Sequence, residues 1–368
     1  MLVDTHLGLY NRSGAKLIMA SGRFVATKVL EATLPDGSKR LLRGEKIVIG
    51  TGTHAAIEHI PGLVAAQPMT HVEALELDVV PEHLIVVGGG YIGLEFAQAM
   101  RRFGSRVTVI DRNQRIIHRE DDDISEGLQT LLNDEGVQLV LDAKVKSVSG
   151  ISGQSVRLIL EQNGVELSLE GSHILVAAGR TPNTKDIGLD LIGVELTDRG
   201  YIKVNERLET TAGNVWAIGE VAGSPQFTHI SEDDFRVIRD NMLGGNHVTT
   251  GRQVPFCLFT DPEFARIGLT EKEAKAQGID YRLFKVPMTS VLRARSLMET
   301  RGFLKCLVER GSDHILGFAA FGVGAGELMG CVQIAMLGRT SYTVLREAVL
   351  AHPTIPEGLV ALFSSAPS

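Results

Sequence analysis

Cysteine is scarce: the 368 residues hold only Cys257, Cys306 and Cys331, none of them in a C-x-x-C pair. That excludes a disulfide-stapled secreted scaffold and points to a reducing compartment, the cytoplasm. All three are expected to be small buried hydrophobes. An excess of basic residues is also missing. Thirty-seven Lys plus Arg stand against 44 Asp plus Glu, a net charge of −7, which argues against a nucleic-acid partner, since phosphate binding needs a basic surface. No apolar run reaches the ~18 residues that would mark a membrane-spanning helix. The start, Met1 to His6, has no cationic segment followed by an apolar one, so it does not read as a secretory signal. Low-complexity tracts and solenoid-scale repeats are absent too.

What remains is a chain long enough for two or three domains at roughly 150 residues each. It has 44% apolar residues to build their cores and 40 glycines to turn the backbone tightly. Residues 16–50 alternate apolar and polar, with Leu34-Pro35-Asp36-Gly37 as a turn, and predict antiparallel strands. They close on IVIGTG (47–52), read as a buried-type strand ending at glycine. Pro61-Gly62 and Pro68 mark a crossover between domains. From His83 the pattern becomes strand (84–88), glycine turn, helix and strand (106–111). The helix, 91–103, carries its apolar spacing on Ile92, Phe96, Ala99, Met100 and Phe103. Asp121-Asp122-Asp123 opens a further helix, and the acidic run is read as a solvated helix start rather than a metal cluster. A glycine-closed strand recurs at 174–179. Residues 215–219 form another strand, ending at Glu220, and 229–243 a helix. After Gly251, strand-like runs (254–259, 281–287, 303–309, 315–321) precede helical 326–338 and 343–350, an α+β order.

Three segments carry chemistry. In GGGYIG (88–93), Gly88, Gly90 and Gly93 form a G-x-G-x-x-G turn. The first Gly permits the tight turn and the second lets backbone N–H groups approach a diphosphate. The third packs helix on strand, and the helix N-terminus faces the negative charge. A strand precedes the turn, a helix follows, and Asp111 ends the next strand, which is the context the motif requires. Asp111 suits the adenosine ribose of NAD and would repel the 2′-phosphate of NADP, with Arg112 and Arg115 close enough to soften that preference. At 209–220 an apolar strand ends in Gly219 and Glu220, a carboxylate suited to a polyol or, equally, a solvent-exposed loop acid. In His352-Pro353-Thr354-Ile355-Pro356-Glu357, Glu357 can orient the His352 imidazole as a general acid–base, although a histidine in a turn is more often structural.

Taken in order, these motifs resemble the flavin-dependent pyridine nucleotide–disulfide oxidoreductases, the family of glutathione reductase, dihydrolipoamide dehydrogenase and mercuric reductase. The matching stretches are IVIGTG, GGGYIGLEFA (88–97), VAAGRTPN (176–183), VWAIGEVAG (215–223), FTDPEFARIGLTEKEA (259–274) and HPTIPE (352–357). Residues 226–245 look closest to the mercuric-reductase-like branch that includes flavoproteins of reactive-chlorine or metal stress. The resemblance implies an α/β architecture in which a Rossmann-like NAD domain is inserted in a partial FAD domain and followed by an α+β dimerisation domain. Its expected boundaries are 1–65 and 184–250 for the FAD parts, 66–183 for the NAD domain and 251–368 for dimerisation.

By the same resemblance NAD, rather than NADP, lies on Gly88, Gly90, Tyr91, Ile92, Gly93, Glu95, Asp111 and Gly179. Tyr91 caps the nicotinamide pocket and Glu95 sits beside it. FAD meets Thr51, Gly52, Gly219, Glu220 and Thr228, with Glu220 where the family usually has Asp. His352, held by Glu357, exchanges protons at the partner subunit's thiols, so a homodimer is implied. No metal site is expected. The family's opening FAD-binding G-x-G-x-x-G and its Cys-x4-Cys redox pair are not in this sequence, nor are vicinal cysteines at the end. The resulting expectation is an FAD- and NADH-dependent oxidoreductase, read as a chain shortened at its N-terminus, delivering electrons to a disulfide, metal ion or other small acceptor. Two alternatives stand beside it: a thiol-independent NADH:acceptor reductase, and a non-catalytic NAD-binding dimeric fragment.

Overall fold

A computed structural model describes residues 2–368, which divide into two compact units, residues 2–54 with Thr181–Arg252 and Ala55–Arg180 with Gln253–Ser368. The larger unit is built on a parallel sheet. Its strands run side by side in the order His173–Val176, His83–Val87, Arg106–Ile110 and Gln138–Val140. Every residue of His83–Val87 is buried, as a continuous β-branched and apolar run should be when both faces of its sheet are covered. The helices Tyr91–Phe103 and Asp122–Asp134 supply the crossovers.

The first of these helices has the predicted span but a rotated face. Gly93, Leu94, Ala97 and Met100 point inward, whereas Phe103 is 66% exposed. Gly93 must lie against the strand, and positions four and seven residues later then follow it into the core.

Between Gln138–Val140 and His173–Val176 the chain makes an antiparallel excursion, Ala143–Ile151, Ser155–Gln162 and Val165–Gly171, that the motif reading did not foresee. The remainder of this unit is a five-stranded antiparallel sheet. Its order is Phe256–Leu258, Glu263–Gly268, Ile315–Gly322, Phe303–Glu309, Tyr281–Pro287. Helix Ala325–Leu337 covers it with Leu328, Met329 and Val332 buried. The strand Glu263–Gly268 was missed because Glu263 and Arg266 interrupt its apolar run. Leu94, Val109, Ile124 and Leu128 share one apolar cluster with Leu258, Phe264 and Phe321. The two sheets of this unit are thus joined by a common core, each fully buried side chain contributing about 1.5–3 kcal/mol.

The smaller unit contains the predicted hairpins, Ser21–Ala26, Val29–Thr33 and Lys39–Arg43, with Gly37 N–H donating to the Leu34 carbonyl at 2.9 Å in the expected turn. Ile47–Ile49 pairs in parallel with Val215–Ala217. Ile49 is buried but Val48 is 44% exposed, so IVIGTG is not buried throughout; a two-stranded pair leaves one face open. Helices Leu2–Ser13 and Thr228–Met242 complete this unit, the first of them unforeseen.

The cysteine expectation holds only in part. Cys306 is buried, Cys257 is half-buried and Cys331 is exposed, because helix Ala325–Leu337 turns Val332 rather than its neighbour into the core.

Candidate functional site

The glycine turn leaves the carboxyl end of His83–Val87, at the point where the strand order of the parallel sheet reverses, which is where open α/β sheets bind ligands. Each glycine has its own reason. Gly88 has φ +117° and a Cβ there would stand 2.5 Å from the Ala177 carbonyl oxygen, while a Cβ on Gly93 would stand 2.0 Å from that of Gly88. Gly90 is different. It precedes the first helical residue with no side-chain cap, and a Cβ on it would meet no atom within 4 Å beyond its own chain neighbours. Helix N–H groups and open space therefore coincide at Gly90, a cradle for an anion.

Asp111 reaches back to this corner. Its Oδ2 accepts the Gly89 N–H at 2.7 Å, and its Oδ1 accepts the backbone and side-chain N–H of Asn113, each at 2.7 Å. All three donors are neutral, and a carboxylate has about four lone-pair sites, so acceptor capacity is left over. The neighbouring arginines are engaged elsewhere: Arg112 lies 3.7 Å from Glu58, and Arg115 lies 2.9 Å from Glu126 and 3.3 Å from Asp122. Ile92 is half-buried at the helix start, and the exposed Gly179 accepts the Ala56 N–H at 2.9 Å.

Tyr91 packs edge-on against Phe264, ring centroids 6.5 Å apart, and its hydroxyl donates to Glu120 at 3.0 Å. Glu120, which the motif reading did not single out, is buried and lies 2.7 Å from Arg266 Nε. One helical turn on from Tyr91, Glu95 accepts the Phe259 N–H at 2.9 Å. Burial raises its pKa, opposed by that N–H. Burial, with Glu263 and Glu95 nearby, pushes the Cys257 thiol up to about 12, so it is no ready thiolate.

The acidic run is not a solvated helix start. Asp121 is 5% exposed, and it accepts the backbone N–H groups of Glu271 and Lys272, both at 3.0 Å. Lys305, 1% exposed, reaches Asp121 at 2.7 Å, Asp123 at 2.8 Å and Glu271 at 3.2 Å. Asp121, Asp123 and Glu271 converge closely enough to ligate a cation, and the Lys305 ammonium is that cation. The cause is tertiary. A buried lysine 184 residues away supplies the counter-charge that solvent was expected to provide.

In the smaller unit, Gly219 and Glu220 follow the Val215–Ala217 strand after Ile218. The Gly219 N–H donates to the fully buried Asp234 at 2.7 Å, and Asp234 is held in turn by Arg252 at 2.6 Å. The Glu220 carboxylate accepts the Thr53 hydroxyl. Asn183 ties down the adjoining loop: its side chain donates to the Thr51 carbonyl at 2.8 Å, its backbone N–H donates to the Gly52 carbonyl at 3.0 Å, and its own carbonyl accepts the Thr51 hydroxyl at 2.9 Å. Thr228 is exposed at the first position of its helix. Asp234, Arg252 and Asn183 escaped the sequence reading because polar residues in a helix or loop carry no mark of burial.

His352 and Glu357 do meet, with Nδ1 2.9 Å from Oε1. The other carboxylate oxygen accepts the Thr354 N–H at 2.8 Å. That N–H first, and the His352 hydrogen bond second, hold Glu357 below the usual carboxylate range. The imidazole is 64% exposed, free to meet a second molecule.

The donor sets fit two kinds of group. The corner at 88–93 with Asp111 fits a dinucleotide, an anion cradle beside a ribose-type acceptor. The Thr51–Gly52 and Gly219–Glu220 ends, a carboxylate and hydroxyl at a strand edge, fit the polyol end of a flavin nucleotide. The only G-x-G-x-x-G is the one at 88–93.

Residues 5–234 match the pyridine nucleotide-disulphide oxidoreductase family and residues 254–363 match that family's dimerisation domain. The chain is 35% identical over 351 residues to the probable pyridine nucleotide-disulfide oxidoreductase RclA of Escherichia coli (strain K12), covering 95% of this chain and 78% of that protein. It is 33% identical over 356 residues to a mitochondrial dihydrolipoyl dehydrogenase of Pisum sativum, covering 96% and 70%. The solved structure of the HOCl-induced flavoprotein disulfide reductase RclA from Escherichia coli superposes with a TM-score of 0.90 at 34% identity, covering 98% of this chain and 82% of that one.

Proposed function

The chain belongs to the pyridine nucleotide-disulphide oxidoreductase family, flavin-dependent enzymes that use NAD(P)H, and on that premise we propose that it oxidises NADH and passes the electrons through FAD to a disulfide, metal ion or other small acceptor. When bound, the nicotinamide supplies a hydride and the flavin accepts it. The chain's own residues do the rest. The helix N-terminus at Gly90 and Tyr91 holds the dinucleotide diphosphate. Gly88 and Gly93 keep the turn tight enough for that approach. The remaining acceptor site of Asp111 takes an adenosine ribose hydroxyl. Arg112 and Arg115 face Glu58 and Glu126, which offsets part of their charge, and the Asp111 carboxylate itself disfavours a 2′-phosphate, so NADH is favoured over NADPH.

Tyr91, Ile92, Glu95 and Gly179 bear on the nicotinamide half. Thr51, Gly52, Gly219, Glu220 and Thr228 bear on the flavin, with Glu220 as acceptor for its polyol hydroxyls. His352 gives and takes the acceptor's proton, and Glu357 holds the imidazole in one orientation and stabilises its charged form. An exposed dyad suits an acceptor presented by a second subunit, and the dimerisation domain at 254–363 supports a homodimer. Three unpaired cysteines accord with a cytoplasmic location. No helix among the described residues is long and apolar enough to cross a membrane.

The observation that carries this reading is the open face of Gly90 beside Asp111. Titration calorimetry tests it: NADH should bind, and more tightly than NADPH. Folded protein that takes up neither ends the assignment, and equal affinities end the NAD preference.

A further inference from the structure

The loop joining Arg106–Ile110 to helix Asp122–Asp134 touches the glycine corner three times. Asp111 accepts the Gly89 N–H at 2.7 Å. Ile117 N–H donates to the Gly89 carbonyl at 2.9 Å. Glu120 accepts the Tyr91 hydroxyl at 3.0 Å. The first two contacts shape the backbone of the turn. The third holds a side chain, and it is built differently.

Glu120 is 4% exposed and Arg266 is 9% exposed, their charged atoms 2.7 Å apart. The Arg266 guanidinium lies over the Phe256 ring at 3.9 Å. Desolvating a carboxylate and a guanidinium is expensive, and an apolar pair of similar volume would hold the two sheets together as well or better. Edge-on packing against Phe264 already buries part of the Tyr91 ring. What the ion pair adds, and apolar residues cannot, is a fixed acceptor for one phenol hydroxyl. Arg266 lies against the Glu120 carboxylate as its buried counter-charge, Glu120 accepts the hydroxyl, and that hydrogen bond fixes the direction of the ring at the first turn of the dinucleotide helix.

We infer that Glu120 and Arg266 are positioning residues that hold the Tyr91 ring for the nicotinamide half of the bound dinucleotide. The inference rests on the reading that NADH occupies this corner with Tyr91 on its nicotinamide side. It also places part of the nucleotide site under the control of the five-stranded sheet, since Arg266 belongs to the strand Glu263–Gly268.

The test compares NADH with ADP-ribose, which shares the diphosphate and adenosine but lacks the nicotinamide. Calorimetry on the full chain measures both in four proteins: wild type, Tyr91→Phe, the paired replacement Glu120→Leu with Arg266→Met, and the triple variant. Replacing the pair together avoids stranding a buried charge. Thermal melts confirm that each variant is folded.

Tyr91→Phe and the paired replacement should each weaken NADH about fivefold, roughly the worth of one hydrogen bond. ADP-ribose should stay within about twofold, and the triple variant should be no weaker than either parent. If Tyr91→Phe costs as much with the pair gone as with it present, the pair does not act through the hydroxyl and the proposal is wrong. Equal losses for NADH and ADP-ribose also overturn it, since the pair would then only maintain the turn. Wild-type protein that binds neither probe defeats the dinucleotide reading and this inference with it.

Discussion

Asp111 and Asp121 stand ten residues apart, at the two ends of one loop, and meet opposite fates. Asp111 is half-buried. Among the described residues its hydrogen-bond donors are the neutral N–H groups of Gly89 and Asn113, and it lies beside the open face of Gly90. Asp121 is sealed, 5% exposed and closed in by two helix N–H groups and the Lys305 ammonium. The difference teaches what frees a carboxylate for a ligand. Each carboxylate accepts three hydrogen bonds, but neutral partners steady Asp111 without quenching its charge and leave it half exposed, whereas a buried cation brought by the chain completes the charge balance of Asp121 and turns the same group into a structural one. Composition cannot separate the two cases, because both are aspartates at a strand end or helix start.

The largest break in this comparison is Lys305→Met. It leaves Asp121, Asp123 and Glu271 converging without their ammonium, and removing one partner of a buried ion cluster costs about 3–5 kcal/mol. Urea unfolding should show that loss, while protein that remains folded keeps its NADH affinity. A change below about 1 kcal/mol would mean that solvent enters the cluster and that Asp121 is no more structural than Asp111. The converse experiment is Gly90→Ala. The added methyl group meets no atom within 4 Å beyond its own chain neighbours and the backbone has φ −87°, so stability should move by no more than about 0.5 kcal/mol. The space it enters is the proposed diphosphate cradle, so NADH should weaken about tenfold, roughly 1.4 kcal/mol. Unchanged affinity would mean that the open face is solvent and not a site. A smaller effect is expected from Asp111→Ala, about fivefold for NADH and less for NADPH, because one acceptor of ribose hydroxyls is lost while the diphosphate contacts stay. A change of equal size for both nucleotides would remove the sugar contact from the reading.

How much of this could be read without the fold follows from the same contrast. The corner was legible because its requirements are local. Gly88 and Gly93 are forced by backbone clashes within a few residues or one neighbouring strand, and a G-x-G-x-x-G turn between an apolar strand and an amphipathic helix states them in one window. The His352–Glu357 contact at 2.9 Å was legible for the same reason, both partners lying in one hexapeptide. What stayed hidden depends on residues far apart in the chain. Lys305 meets Asp121 across 184 residues, Arg266 on the strand Glu263–Gly268 meets Glu120 in the loop after Arg106–Ile110, and nothing in either segment marks a charged residue as buried. The rotated face of helix Tyr91–Phe103 belongs with these: counting apolar residues chose Phe103, whereas the packing of Gly93 chose Leu94 and Ala97.

The mildest prediction concerns the rim of the cluster. Asp123 accepts hydrogen bonds from Lys305 at 2.8 Å and from Lys285 at 2.6 Å, and these two lysines face each other across paired strands. Burial pushes the Asp123 carboxyl up, but the two ammonium groups outweigh it and hold its pKa below the ordinary value of 3.8. In the folded protein this carboxylate stays charged at pH values where the unfolded chain has begun to take up a proton. The unfolded state then binds more protons, so stability rises with pH across that window and is lost as pH falls through the lowered folded value. Asn at this position binds no proton in either state. Urea midpoints measured from about pH 6 down to about pH 3 should therefore fall less steeply for Asp123→Asn than for the wild type. The variant should also start lower at neutral pH, where Lys285 and Lys305 have lost their shared anion. Parallel slopes would show that this aspartate titrates as it does in the unfolded chain. The sealed end of the loop would then shrink to Asp121 and Glu271, with Asp123 moved to the solvent side of the comparison.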